Sequence, residues 1–338
     1  MSKLKVAVIG CGNISRVHLR VLSGIPDVKI VGVADIKPER AGAAAEEYGA
    51  KAYSSLAELL KAEEPDCVHI CTPHYLHTPM AVEALEAGAN VFVEKPCSVT
   101  AEEADRLLSA QRKSGRQLGV CFQNRYNSCV RYVKGIVDSG EFGSVKAIRA
   151  FVTWSRGADY YSDDWHGTLD KECGGVLINQ AIHTVDLIQY LGGGCESLTA
   201  HTANDHLRGV IEVEDNACVL MRLGCGATGL LYATTAYAEN SGVLLEVLFE
   251  RGKLRFEGDR LFSVDEKGGI AEISVPASEV CHGKKYWGAG HTQIINDFYD
   301  CLRTGRVFDV DALEGGRAAR IVAACYESSA SGESVEVG

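Results

Sequence analysis

Apolar residues come in short, unbroken runs over the first 122 positions, and stretches of helical spacing separate the runs. Residues 3–9, 28–34, 67–71, 90–93 and 117–122 read as strands buried on both faces. Between them, Ile14, Val17, Val21 and Leu22 recur at helical spacing, and 39–48 is an Ala-rich helix after Pro38. Ser55-Leu-Ala-Glu58 and Thr100-Ala-Glu-Glu103 have the form of helix-opening caps, and the helix over 79–87 stops at Gly88. Strands alternating with helices predict a parallel, doubly wound sheet. The pattern changes near Phe122. After a helix over 127–139, strands dominate at 145–154, 197–202, 217–223, 227–235 and 243–249, with short turns such as Glu250-Arg-Gly252. That order predicts a mainly antiparallel sheet. Helices are expected at 176–191, 291–304 and 311–330. The expected fold is α/β: a doubly wound parallel domain over 1–122, followed by an α+β domain over 123–338.

The first run ends abruptly in Gly10-Cys-Gly-Asn-Ile-Ser15, a helix follows, and the second run closes on Asp35. Strand, glycine turn, helix, strand and acid is the order of a dinucleotide-binding βαβ unit. Gly10 makes the turn. Gly12, Asn13 and Ile14 bring backbone N–H groups to a pyrophosphate at the helix N-terminus. Asp35 is placed for a ribose 2′-hydroxyl, which favours NAD over NADP, with Lys37 and Arg40 nearby to soften the preference. Ser15 stands where the pattern has its third glycine. Thr72, His77, Glu94 and Gln123 fall at or near the carboxyl ends of later strands, where such sheets gather ligands, and are expected to line the rest of the cofactor cleft.

Composition narrows the partners. With 338 residues, two domains are expected. A net charge of −11 without a basic patch argues against nucleic acid and anionic membrane. No apolar run is long enough to span a bilayer, and the N-terminus enters a strand too early for a signal peptide, so a cytoplasmic protein is expected. The 13 cysteines fit no disulfide framework. Cys67, Cys71, Cys121, Cys218 and Cys325 sit in apolar runs and read as small buried hydrophobes. His74 and His77 lack a third ligand in any recognised spacing, so no metal is expected.

Lys95, between Glu94 and Pro96, is either a solvated loop lysine or a proton-handling group facing the cofactor, its pKa lowered by burial and an oxidised nicotinamide. Asn179, His183 and Asp186 share one face of the helix expected over 176–191, entered through Gly174-Gly175. That face reads either as the floor of a site, with Asp186 orienting His183, or as packing around a satisfied histidine. The aromatic-polar stretch 154–166, which carries Trp165 and His166, is too long for a plain connector. Arg125 and His291 begin or flank helices near the expected domain junctions, and each reads either as a site residue or as a plain surface residue.

Gly10-Cys-Gly-Asn-Ile-Ser15, Thr72-Pro73 with His77, the run from Ala87 to Pro96 containing Glu94-Lys95-Pro96, and Gly174-Gly175 followed by Asn179, His183 and Asp186 come in one order. Together they resemble the glucose–fructose oxidoreductase/inositol dehydrogenase (Gfo/Idh/MocA) family over nearly the whole chain. The resemblance implies a Rossmann domain, a C-terminal open sheet used for homo-oligomerisation as a dimer or tetramer, and hydride transfer between a sugar or polyol carbon and a nicotinamide. It implies catalytic roles for Lys95 and His183 and a cis bond before Pro96. The family often has Asp where this chain has Asn179. Asparagine cannot take a proton, so Asn179 is expected to hydrogen-bond a substrate hydroxyl while Lys95 and His183 do the proton work. Arg125, Trp165, His166 and His291 are expected to contact the sugar, polyol or glycoside. The alternatives are a nucleotide-sugar dehydrogenase, a keto-sugar reductase, or a redox-dead protein that binds NAD(H) and regulates a partner.

Overall fold

The computed structural model describes residues 3–265, 267–276 and 290–338. They form two units, one of residues 3–122 with 291–316, the other of the described residues between 123 and 290 with 317–338.

In the first unit β1 (Leu4–Ile9), β2 (Val28–Ala34), β3 (Lys51–Tyr53), β4 (Cys67–Ile70), β5 (Asn90–Val93) and β6 (Leu118–Val120) form a parallel sheet. Its order is β3-β2-β1-β4-β5-β6, the doubly wound arrangement. The chain reverses direction across the sheet between β1 and β4, which puts the ligand crevice beyond the carboxyl ends of those strands. Both cap motifs form. The Ser55 hydroxyl accepts from the Glu58 N–H at 3.2 Å, and the Thr100 hydroxyl from the Glu103 N–H at 3.2 Å; each contributes about 1 kcal/mol.

The segment 291–316, expected in the second domain, packs in the first. The helix His291–Thr304 buries Phe298 and Tyr299 completely. Phe298 lies 5.1 Å from the Phe92 ring of β5, and Gly119 in β6 makes room, since a Cβ there would meet Phe298 at 2.7 Å. The Val120 N–H then donates to the Val310 carbonyl at 2.9 Å.

The second unit contains β7 (Val145–Thr153), β8 (Cys195–Ala203), β9 (Asn216–Leu223), β10 (Thr228–Thr234), β11 (Leu244–Phe249), β12 (Gly252–Glu257), β13 (Arg260–Val264), β14 (Ile270–Ile273) and β15 (Val335–Glu336). They pair in the order β14-β13-β12-β11-β7-β10-β9-β8-β15. Within this second sheet, only the β7–β10 pairing is parallel among the described strands. Alternation along β9 and β10 buries one face and leaves the other open. Cys218, expected in the core, is on the open face; Cys67, Cys71, Cys121 and Cys325 are buried.

The helix expected from 176 begins only at Ile182 and runs to Gly192. Glu214 is the reason. Its carboxylate accepts from the Gly175 N–H at 2.8 Å and the Leu177 N–H at 2.9 Å, while its carbonyl takes the Val176 N–H at 3.1 Å. These bonds hold 175–181 as turns, so Asn179 and His183 do not share a helix face.

Candidate active site

At the end of β1, Gly10 has φ +86°, and a Cβ there would sit 2.6 Å from the Cys71 carbonyl oxygen. Only glycine fits that approach. Gly12 is different: a Cβ would meet nothing within 4 Å, so the turn is open where a pyrophosphate would approach. Asn13 is exposed and Ile14 half-buried, and no side chain caps the helix Ser15–Ser23 that starts there. Ser15 donates its hydroxyl to the Gly12 carbonyl at 2.7 Å, so it pins the turn. Asp35 is buried, and its carboxylate accepts from the Cys11 N–H at 2.7 Å and the Lys37 N–H at 2.8 Å. Two such bonds leave lone-pair sites for ribose hydroxyls. Burial, with Asp35 alongside, pushes the Cys11 thiol up to about 12, so it stays protonated.

The buried hydroxyl oxygen of Thr72 has no hydrogen-bond partner among the described residues, as suits a group that meets a ligand. His77 is fully buried and bonds two backbone carbonyls, Thr72 and Pro96, both at 2.7 Å. It therefore acts on the cleft by tying together the loops after β4 and β5. The Lys95–Pro96 bond is cis. Lys95 is half-buried, and its N–H donates to the Glu94 carboxylate at 3.2 Å.

Glu94 heads a buried chain that its sequence position did not announce. Its Oε1 pairs with His18 Nε2 at 2.8 Å, His18 Nδ1 with His69 Nδ1 at 2.8 Å, and His69 Nε2 with the Tyr299 hydroxyl at 3.0 Å. Burial alone would raise the Glu94 carboxyl, but His18, with His291 and Lys95 nearby, holds it well below the usual range. His69, buried and beside His18, is held well below the usual histidine range. A fixed negative charge is thus kept next to Lys95. His291, expected to meet substrate, is part of this first unit, its ring 6.4 Å from that of His18. His18 sits on the buried face of its helix, where nothing in the apolar spacing marks it.

In the second unit Gln123 is buried, with its amide nitrogen 3.3 Å from His183 Nε2. His183 is half-buried in the first turn of the helix Ile182–Gly192. Arg125, expected to contact substrate, is buried in a bidentate pair with Asp186, Nε at 2.7 Å and Nη2 at 2.5 Å, and stacks over Tyr190. The guanidinium thus locks the helix that carries His183 to the segment that carries Gln123. Asn179 Nδ2 donates to Glu172 and, at 3.3 Å, to the Tyr160 hydroxyl. The Tyr160 ring lies 4.8 Å from His166, which stacks 3.8 Å from Trp165 and bonds Asp163 at 2.6 Å. The aromatic loop and Asn179 are therefore brought together.

Residues 4–122 match the model of an oxidoreductase family with an NAD-binding Rossmann fold, and residues 130–255 match the GFO/IDH/MocA C-terminal domain. The chain is 27% identical to D-glucoside 3-dehydrogenase of Escherichia coli, over 99% of this chain and 98% of that protein. It is 25% identical to levoglucosan dehydrogenase of Pseudarthrobacter phenanthrenivorans, over 100% and 99%. The structure of the WlbA dehydrogenase of Chromobacterium violaceum, in complex with NADH and UDP-GlcNAcA, superimposes with a TM-score of 0.87 at 30% identity, covering 100% of this chain and 97% of that one. The open Gly12 turn, the Asp35 carboxylate and the Thr72 hydroxyl fit a dinucleotide. The chain belongs to the Gfo/Idh/MocA family of oxidoreductases, and its first domain has that family's NAD-binding Rossmann fold.

Proposed function

We propose that the protein oxidises a secondary alcohol of a sugar, polyol or glycoside with NAD⁺, and that Lys95 and His183 handle the hydroxyl proton. The observation that carries this reading is the Glu94-Lys95-Pro96 turn at the end of β5, occurring in one chain with His183 at a helix start and with the family's two domains. NAD⁺, when bound through Gly10, Gly12, Asn13, Ile14, Asp35 and Thr72, supplies the hydride acceptor. The protein's own part is to hold the alcohol and take its proton. Lys95, its backbone fixed by Glu94 and its loop by His77, is positioned to stabilise the developing alkoxide or accept its proton. His183, steadied by Gln123 and by the Arg125–Asp186 lock, is the second proton-handling group. Trp165 and His166 offer an aromatic wall for a sugar ring, and Asn179 a hydrogen bond to a neighbouring hydroxyl. The reverse direction, reduction of a keto-sugar, uses the same groups.

A nucleotide-sugar dehydrogenase is the second reading, favoured by the UDP-GlcNAcA complex of the WlbA relative. Intact Lys95 and His183 speak against a redox-dead regulator. The test is NAD⁺ reduction, followed by the absorbance of reduced nicotinamide, across polyols, free sugars, glycosides and nucleotide sugars. Turnover with one of the first three classes is expected. Turnover confined to nucleotide sugars selects the second reading, and silence in both directions with retained NADH binding selects the regulator.

Asp35→Asn keeps an acceptor for the Cys11 N–H and removes the charge that meets the ribose. A charge-assisted hydrogen bond of about 1.5–3 kcal/mol is lost, so NAD⁺ binding should weaken by roughly tenfold or more, and discrimination against NADP⁺ should narrow. Titration of NADH and NADPH against wild type and variant checks both.

We also propose that the open face of the second unit's sheet is a homo-oligomer interface. Leu220 and Leu230, paired across β9 and β10, are 53% and 40% exposed. Cys218, Tyr232, Phe151 and Leu244 continue the band across neighbouring strands. A contiguous apolar band of this kind marks a contact surface. Sedimentation is expected to show a dimer or tetramer for wild type and a smaller species for Leu220→Arg. A monomeric wild type would refute it.

A further inference from the structure

Glu172 occupies a position that no motif announces: 1% exposed, with one carboxylate oxygen accepting the Gly167 N–H and the other accepting from Asn179 Nδ2. The same Nδ2 also reaches the Tyr160 hydroxyl at 3.3 Å. Both amide hydrogens of Asn179 are thereby directed at protein acceptors, and the side chain's other polar atom, Oδ1, can only accept. An amide that rotated by half a turn would set its oxygen against the Glu172 carboxylate, so the carboxylate fixes which way Asn179 faces.

We infer that Glu172 is a positioning residue that sets Asn179 as a hydrogen-bond acceptor for a substrate hydroxyl. Asn179 and Glu172 form a matched amide–carboxylate pair, in which the negative charge of the site sits at 172 and the neutral group at 179. This inference rests on the proposed function. It also gives a reason for asparagine here: aspartate at 179 would press a second carboxylate against a buried one, and two such groups cannot both stay ionised at ordinary cost.

Exchanging the two groups tests the pair. Asn179→Asp is expected to lose roughly tenfold or more in kcat/KM at neutral pH, the scale of one lost charge-assisted hydrogen bond. Activity should recover relative to wild type as the pH falls and one carboxyl of the pair takes a proton. Tyr160, Tyr161 and Arg156 also face the pair, and the His166 ring lies 4.8 Å from that of Tyr160. Burial first, then Glu172, raises the Tyr160 hydroxyl, and burial raises Tyr161, so neither phenol titrates near neutrality. These groups are common to variant and wild type, so the ratio of variant to wild type isolates the new carboxyl. The double variant Asn179→Asp/Glu172→Gln restores a donor facing an acceptor at this contact. The amide introduced at position 172 can donate to the carboxylate introduced at position 179 and still accept from the Gly167 N–H. The double variant should regain most of the lost kcat/KM and the wild-type pH profile.

Thermal midpoints give a reading independent of turnover: Asn179→Asp should melt lower than wild type, and the double variant should melt above Asn179→Asp. A double variant no better than Asn179→Asp in both readouts overturns the pairing, as does an Asn179→Asp variant with wild-type activity and pH profile. If wild type turns over no substrate, the functional reading fails on its own account, and the melting order still decides the pair.

Discussion

Lys95→Ala is expected to lose roughly 10²- to 10⁴-fold in kcat/KM, the range of a single positioned proton-handling group, while binding NADH as wild type does. The two halves of this expectation come from different residues. In the proposed site, cofactor affinity rests on the open Gly12 turn, on Asp35 and on the Thr72 hydroxyl, none of which needs the Lys95 side chain. The backbone of Lys95 is set by the Glu94 carboxylate and by His77 on the Pro96 carbonyl, so alanine there leaves the loop in place. Lys95→Arg separates charge from proton transfer, because a guanidinium stays protonated and differs in shape. It should recover little. Steady-state kinetics with a fluorescence titration of NADH reads both quantities. A Lys95→Ala variant within a few-fold of wild type would remove the lysine from the chemistry.

Gly175→Ala should be the most damaging small substitution in the second unit. A Cβ at 175 would lie 1.9 Å from the Glu214 carbonyl oxygen and 3.0 Å from the Glu214 nitrogen, and backbone cannot swing aside as a side chain can. The Gly175 and Leu177 N–H groups both donate to the Glu214 carboxylate, and the Tyr326 hydroxyl donates to it at 3.0 Å. Forcing 175 away from 214 breaks these bonds together. Burial raises the Glu214 carboxyl, and the two N–H donors and Tyr326 oppose that shift, so losing them removes what stabilises the buried charge. The cost should reach the upper end for overpacking, about 3 kcal/mol or more. A thermal melt should show a midpoint lowered by several degrees, with turnover lost because Asn179 and His183 follow this turn. A variant that melts with wild type would mean that the turn relaxes without losing the Glu214 bonds.

Local signals carried much of this architecture. The strand–turn–helix–strand unit closing on Asp35 was legible because each part obeys short-range rules: a glycine for the turn, apolar runs for buried strands, an acid at a fixed spacing. The helix caps at Ser55 and Thr100 were legible for the same reason. What escaped were contacts between distant positions. Glu214 captures N–H groups 37 and 39 residues earlier and so delays the helix to Ile182, against an apolar spacing that favours a start at 176. The helix that carries Phe298 was expected in the second domain because its partners, Phe92 and Gly119, lie far back in the chain. The pairing of Arg125 with Asp186 was not legible, because nothing local brings positions 61 residues apart together. Cys218 read as core because its neighbours are apolar, although alternate residues of β9 face outward.

The most direct test of the account is the fate of the carbinol hydrogen. With deuterium at the oxidised carbon of the best substrate from the sugar, polyol and glycoside panel, the label is expected in the reduced nicotinamide, one atom for each turnover, with a primary isotope effect on the chemical step. Lys95→Ala should slow that transfer without diverting the label. Deuterium released to water, or NAD⁺ left unreduced while substrate is consumed, would contradict the account.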